Sequence, residues 1–93
     1  MINIKVSMMA IMYKEKGYLV EDPKESKKTC TETKKALKEA GVKMKKASIS
    51  EHINDVYGLD FWSTPECAST IYKVAIENGI TNVKIEYRDI DQD

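Results

Sequence analysis

Lysines 24, 27, 28, 34, 35 and 38 are the densest concentration of one chemistry in the chain. Placed at 100° per residue, these six ammonium groups fall on one arc of a helix. Glu25, Glu32 and Glu39, spaced by seven, form a separate stripe along its border. Such an arc attracts anions, either acidic protein surfaces or the phosphates of nucleic acid. Lys43, Lys45 and Lys46 extend it, so residues 24–46 hold nine lysines against three glutamates. Residues 47–93 hold the reverse, three cations against nine acids, and the net charge of zero hides both. A face that serves solubility alone intersperses its signs; segregation of this kind points to binding. Lysine meets phosphate as a point charge and lacks the forked, bidentate contact by which arginine reads a base, so nucleic acid would be held here without sequence preference.

A second concentration is aromatic. Tyr57, Phe61 and Trp62 lie within six positions, beside Asp55 and Asp60. In a small domain such a cluster ordinarily packs the core. If Phe61 or Trp62 faces outward, it forms the kind of aromatic anchor that dominates protein-protein contacts. Met8, Met9 and Met12 read as deformable core filling.

Other reactive groups are sparse. Cys30 and Cys67 are isolated from each other and from the single histidine, His52, so neither a four-ligand zinc site nor a disulfide framework is expected. No nucleophile-base pair can be read from spacing, and Asp89 and Asp91 lack the further oxygen ligands a divalent ion needs. The expectation is no catalytic residue, no cofactor and no metal.

Ninety-three residues make one domain, 1–93, large enough to bury roughly 60–65% of its unfolded surface and to fold without staples. Apolar content of 42% excludes a disordered chain, and 32% charged residues favour solubility. No apolar run approaches the eighteen residues of a membrane span. The start, Met-Ile-Asn-Ile-Lys, enters a strand pattern without the features of a secretory signal, and two isolated cysteines suit a reducing compartment; a cytoplasmic location is expected.

The elements follow from periodicity. Ile2, Ile4 and Val6 alternate with polar residues, and the run becomes apolar on both faces through Met8 to Met12, as in a central strand. Lys14 to Gly17 read as a turn, and Tyr18 to Val20 as a return strand or a cover for the core. Asp22-Pro23-Lys24-Glu25 combines a capping carboxylate, proline at the first helical position and a capping-box glutamate, and Gly41 supplies the stop. The inward arc of that helix (Ser26, Thr29, Cys30, Thr33, Ala36, Leu37, Ala40) is mostly small, which predicts close approach to a sheet. Val42 to Ile49 and Asp55 to Trp62 read as strands joined through Glu51 to Asn54. A short helix capped by Ser50 and ended by Gly58 competes for the same residues, and the two alternatives stay open. Thr64-Pro65-Glu66 starts a second helix with an Ala68, Ile71, Tyr72, Ala75 stripe, ended by Asn78-Gly79; Val83, Ile85 and Tyr87 mark a last strand, and residues 90–93 a frayed acidic end.

The order β-α-β-β-α-β resembles the ferredoxin-like two-layer α+β sandwich, which implies both helices on one face of an antiparallel sheet. RNA-recognition motifs share this order, but Val56-Tyr57-Gly58-Leu59-Asp60-Phe61 carries an acid where their third strand carries a basic residue and alternating aromatics. Acylphosphatases share it too, yet Lys14-Glu15-Lys16-Gly17 has no counterpart of their phosphate-cradling arginine loop. The profile looks like small adaptor or inhibitor proteins, including those of phages and mobile elements. The expected function is a non-enzymatic module that binds a larger cellular or host protein, with a second copy of the chain as a further partner. Non-specific binding of nucleic acid by the first helix is the alternative. The candidate binding residues are Lys24, Lys27, Lys28, Lys34, Lys35, Lys38, Lys45, Tyr57, Phe61 and Trp62.

Overall fold

The structure, a computed structural model, describes residues 2–12 and 22–89. The elements are β1 (Ile2–Ala10), α1 (Pro23–Glu39), β2 (Lys45–Ile53), β3 (Val56–Ser63), a 3-10 turn (Pro65–Cys67), α2 (Ala68–Glu77) and β4 (Asn82–Asp89). The strands form one antiparallel sheet in the order β2-β3-β1-β4. This is a small α+β domain with a four-stranded antiparallel sheet and two helices. The turn expected at Lys14–Gly17, the return strand or cover at Tyr18–Val20 and the end at 90–93 lie outside the described residues.

Alternation along β1 sets the core. Ile4, Val6, Met8 and Ala10 are fully buried and meet Leu59 and Phe61 of β3, Cys30 and Leu37 of α1, and Ile71, Val74 and Ala75 of α2 in one cluster. The opposite face of β1 carries Lys5, Ser7 and Met9, all half-buried. The expectation of an apolar run covered on both sides through Met12 is corrected here: Met9 sits opposite Gly58 on the open face, and Ile11, past the strand end, is exposed. No described element covers that face; both described helices pack on the other.

Helix α1 reaches the sheet through its small residues. Ser26, Thr29, Cys30, Thr33 and Leu37 are buried. The Ser26 hydroxyl donates to the carbonyl of Ala10 and accepts the N–H of Tyr57 at 2.8 Å. Ala10 and Tyr57 are themselves register partners at the end of the β1-β3 ladder. One buried hydroxyl therefore joins three elements and supplies partners to two backbone groups that lie far from it in sequence.

The Asp22 cap and the glycine stops follow their expected chemistry, but Glu25 does not complete a capping box, because the Asp22 N–H bonds elsewhere. Asp22 caps α1 by accepting Glu25 N–H at 3.2 Å, with Pro23 opening the helix. Asp22 N–H also donates to Met12 O at 2.8 Å. Gly41 and Gly79 have φ of 85° and 86°, the left-handed conformation glycine adopts without strain. At both ends the 6→1 and 5→2 hydrogen bonds form: Val42 N–H to Leu37 O and Gly41 N–H to Lys38 O, then Ile80 N–H to Ala75 O and Gly79 N–H to Ile76 O. Val42 and Ile80 enter the core directly after these stops.

Residues 45–63 form the hairpin, not the competing short helix. The second strand runs three to four residues later than Val42–Ile49, and most of the expected connection Glu51–Asn54 belongs to it; the turn is only Asn54 and Asp55. Asp55 takes φ 64°, a conformation that Asp tolerates better than most residues, and its N–H donates to the Glu51 carboxylate at 3.0 Å. At the second helix, the 3-10 turn intervenes after Thr64, and α2 proper begins at Ala68. The Thr64 hydroxyl makes no capping bond and instead meets Cys67 Sγ at 3.4 Å.

The Ser26 bridge generates a test. Ser26→Ala leaves the Ala10 carbonyl and the Tyr57 N–H without their buried partner, which costs about 1–3 kcal/mol. Urea unfolding followed by Trp62 fluorescence should show a lower midpoint with an unchanged slope. A midpoint equal to that of the parent protein would deny the bridge its role.

Candidate binding surface

Because α1 buries its small arc, its other arc is presented to solvent. Lys24, Lys27, Lys28, Lys35 and Lys38 are exposed and Lys34 is half-buried. The ion pairs within the described residues involve His52, Lys84 and Arg88, and none involves a lysine of α1. Lys24, Lys27, Lys28, Thr31 and Glu32 line a shallow groove of about 390 Å³ along the helix. Lys27 Nζ lies 5.8 Å from the centre of the Tyr57 ring, a cation-π contact that brings the start of β3 into this surface.

The structure divides the remaining candidates. Phe61 is fully buried in the core, so the outward-anchor alternative does not hold at that position. Alternation then turns Trp62 to the opposite, open face of the sheet, where its register partners are Lys45 on β2 and Lys5 on β1. Lys5 Nζ sits 5.3 Å from the Trp62 ring centre. Lys24 to Lys38 and Tyr57 thus form one surface on the helix side, while Lys45 and Trp62 form another on the open sheet face.

The open face mixes its signs. Lys5 pairs in register with Glu86, and Ser7 stands between Asp60 and Lys84. His52, the single histidine, lays its ring over Gly58, where a Cβ would fall 2.5 Å from Nε2. That Nε2 is 2.8 Å from Asp60 Oδ2, with both side chains about one-fifth exposed. Glu86 is clamped between Lys84 at 3.2 Å and Arg88 at 2.7 Å, and these cations hold its carboxyl below the usual range. A cleft of about 270 Å³ beside Trp62, lined by Asn3, Lys45 and Thr64 among others, falls just below the roughly 300–1,000 Å³ of ordinary small-molecule sites.

The cysteines differ sharply. Both are free thiols. Burial pushes the Cys30 thiol up to about 11. The Cys67 thiol is instead lowered, chiefly because the Thr64 hydroxyl bonds its sulfur, with the Lys43 backbone helping and partial burial opposing. Sequence reasoning treated the two alike, since only the 3-10 turn brings Thr64 back onto Cys67. Among the described residues no group of three or more His, Cys, Asp or Glu side chains is placed to hold a metal ion. No described helix is long and apolar enough to cross a membrane. Comparison with protein-family models and with curated protein sequences finds no match for this chain.

The thiol contrast is measurable. Iodoacetamide should label Cys67 in the native protein with a rate that rises at a pH below the ordinary thiol value of 9.0, while Cys30 stays unlabelled until the chain unfolds. Removing the stabilising hydroxyl with Thr64→Val should move the Cys67 profile to higher pH. Equal labelling of both thiols, or a profile indifferent to residue 64, would contradict the assignment.

Proposed function

We propose that the chain is a non-enzymatic protein-binding module that holds an acidic surface of a larger protein against α1, as an adaptor or inhibitor. The observation that carries this reading is the row of α1 lysines, turned outward and unmatched by any carboxylate among the described ion pairs. Seventeen helical residues extend about 25 Å, the length of several turns of a partner helix or strand. Concentrated positive charge accelerates encounter with an acidic partner, and the Tyr57 ring beside Lys27 adds an apolar contact once the two have met.

The strand order β2-β3-β1-β4 supports assignment to the ferredoxin-like sandwich, the arrangement its element order resembles. Two free thiols suit a reducing, cytoplasmic setting. Non-specific nucleic-acid binding is the second reading, favoured by the same lysines. Against it, the open sheet face that RNA-recognition motifs use for stacking here carries the carboxylates of Asp60 and Glu86, which repel phosphate, and Trp62 as its one aromatic among the described strands.

The two readings separate in one experiment. At about 150 mM salt, where screening acts beyond about 8 Å, the protein should show negligible affinity for duplexes of unrelated sequence yet retain a specific acidic protein after nuclease treatment. Changing Lys27, Lys34 and Lys38 to Glu should slow association with that protein at least tenfold, as expected when steering charge is reversed. Tight, salt-sensitive binding of random duplexes with no protein retained would replace the first reading by the second.

A further inference from the structure

The two edges of the sheet are built differently. β2 carries Lys45 and Lys46, breaks register at both ends and puts Lys46 at φ 54°, devices that blunt an edge against further pairing. β4 also carries a lysine, Lys84, but has neither the broken register nor a positive φ. Its register with β1 is unbroken from Ile2↔Asp89 to Met9↔Asn82, and it contains neither proline nor glycine. Among the described elements it pairs on one side only.

The same edge is apolar on its helix side. Tyr87 is 63% exposed, Ile76 and Tyr72 of α2 are 60% and 42%, and Ile2 is 46%. Val83 and Ile85 complete this side of β4, both only partly buried against the core. The other side of the strand carries Lys84, Glu86 and Arg88.

We propose that β4 pairs antiparallel with β4 of a second copy, joining two four-stranded sheets into one continuous sheet about a two-fold axis through Ile85. Charge selects the register. With Ile85 opposite itself, Lys84 faces Glu86 of the other copy twice over, Asn82 faces Arg88, and Val83 faces Tyr87. Sliding one strand so that Lys84 or Glu86 meets itself sets like charges directly opposite, which destabilises a sheet. Centring on Tyr87 sets Ile85 against Asp89 and shortens the pairing. Of these registers, only the one centred on Ile85 sets Lys84 against Glu86 on the open side and apolar groups against each other on the helix side while pairing all seven residues from Asn82 to Arg88. The Tyr72 and Ile76 side chains of α2 then lie beside the new junction, where the second copy covers them. Each face of the contact is self-complementary, as a two-fold interface requires. This inference does not rest on the lysine surface of α1, which packs chiefly over β3 on the other side of β1.

Sedimentation at about 100 µM, well above the dissociation constant of a micromolar contact, should give twice the 10.6 kDa chain mass. Lys84→Glu alone and Glu86→Lys alone should each yield monomer, because each sets like charges opposite one another twice. Mixing the two variants should restore a dimer, since every opposed pair is then of opposite sign. In a Cys67→Ser background, Ile85→Cys should cross-link to itself under mild oxidation, whereas cysteine at 84, 86 or 87 should not, because only residue 85 faces its own copy within disulfide reach. A parent protein that stays monomeric, single variants that remain dimeric, a mixture that fails to associate, or self-cross-linking at 84, 86 or 87 would each overturn the proposal.

Discussion

The Ser26 hydroxyl is the contact on which the arrangement of the domain turns. A buried carbonyl and a part-buried N–H each need a partner, and at the end of the β1-β3 ladder both turn to one side chain from a helix. A hydroxyl can donate and accept at once, so a single atom satisfies both groups. For it to reach them, α1 must lie very near the sheet. That condition explains the run of small buried residues, Ser26, Thr29, Cys30 and Thr33, with Leu37 as the one large apolar side chain on the inner face. Among the described residues the Thr33 hydroxyl on this inner face has no partner.

The surface chemistry follows from the same constraint. A helix pinned along one narrow arc must direct every other side chain outward, and here most of those are lysines, bordered by Glu25, Glu32 and Glu39. Their charge is balanced by acids elsewhere in the chain, so the molecule is neutral as a whole and polar in its parts. The lysine helix lies mainly over β3, whereas the flat, apolar-sided edge is β4 beyond β1. The surface proposed for an acidic partner and the edge proposed for a second copy therefore lie on different parts of the fold.

Local signals were legible in the sequence. Asp22-Pro23, Gly41 and Gly79 mark helix ends because their chemistry acts within a few residues, and the alternation of Ile4, Val6 and Met8 or of Val83, Ile85 and Tyr87 fixes which face is apolar. Register was not legible. Whether Phe61 or Trp62 points inward depends on the pairing of Val6 with Phe61, and a shift of one residue exchanges them. The continuation of β2 from Ile49 to Ile53 was missed because its support is cross-strand, with His52 over Gly58 and bonded to Asp60. The Ser26 bridge was missed because it spans 31 residues to Tyr57, and a serine on a helix of mostly small inward residues gives no sign of what it meets.

Amide hydrogen exchange at Tyr57 tests the central constraint most directly. Tyr57 lies one residue inside the start of β3, where an ordinary strand end frays and exchanges within a local opening. If its N–H is held by the buried Ser26 hydroxyl, it should exchange as slowly as Leu59 and Phe61 in the middle of the strand, only through global unfolding. Rapid exchange at Tyr57, with Leu59 and Phe61 still protected, would show that α1 is not anchored to the sheet at this point and would contradict the account.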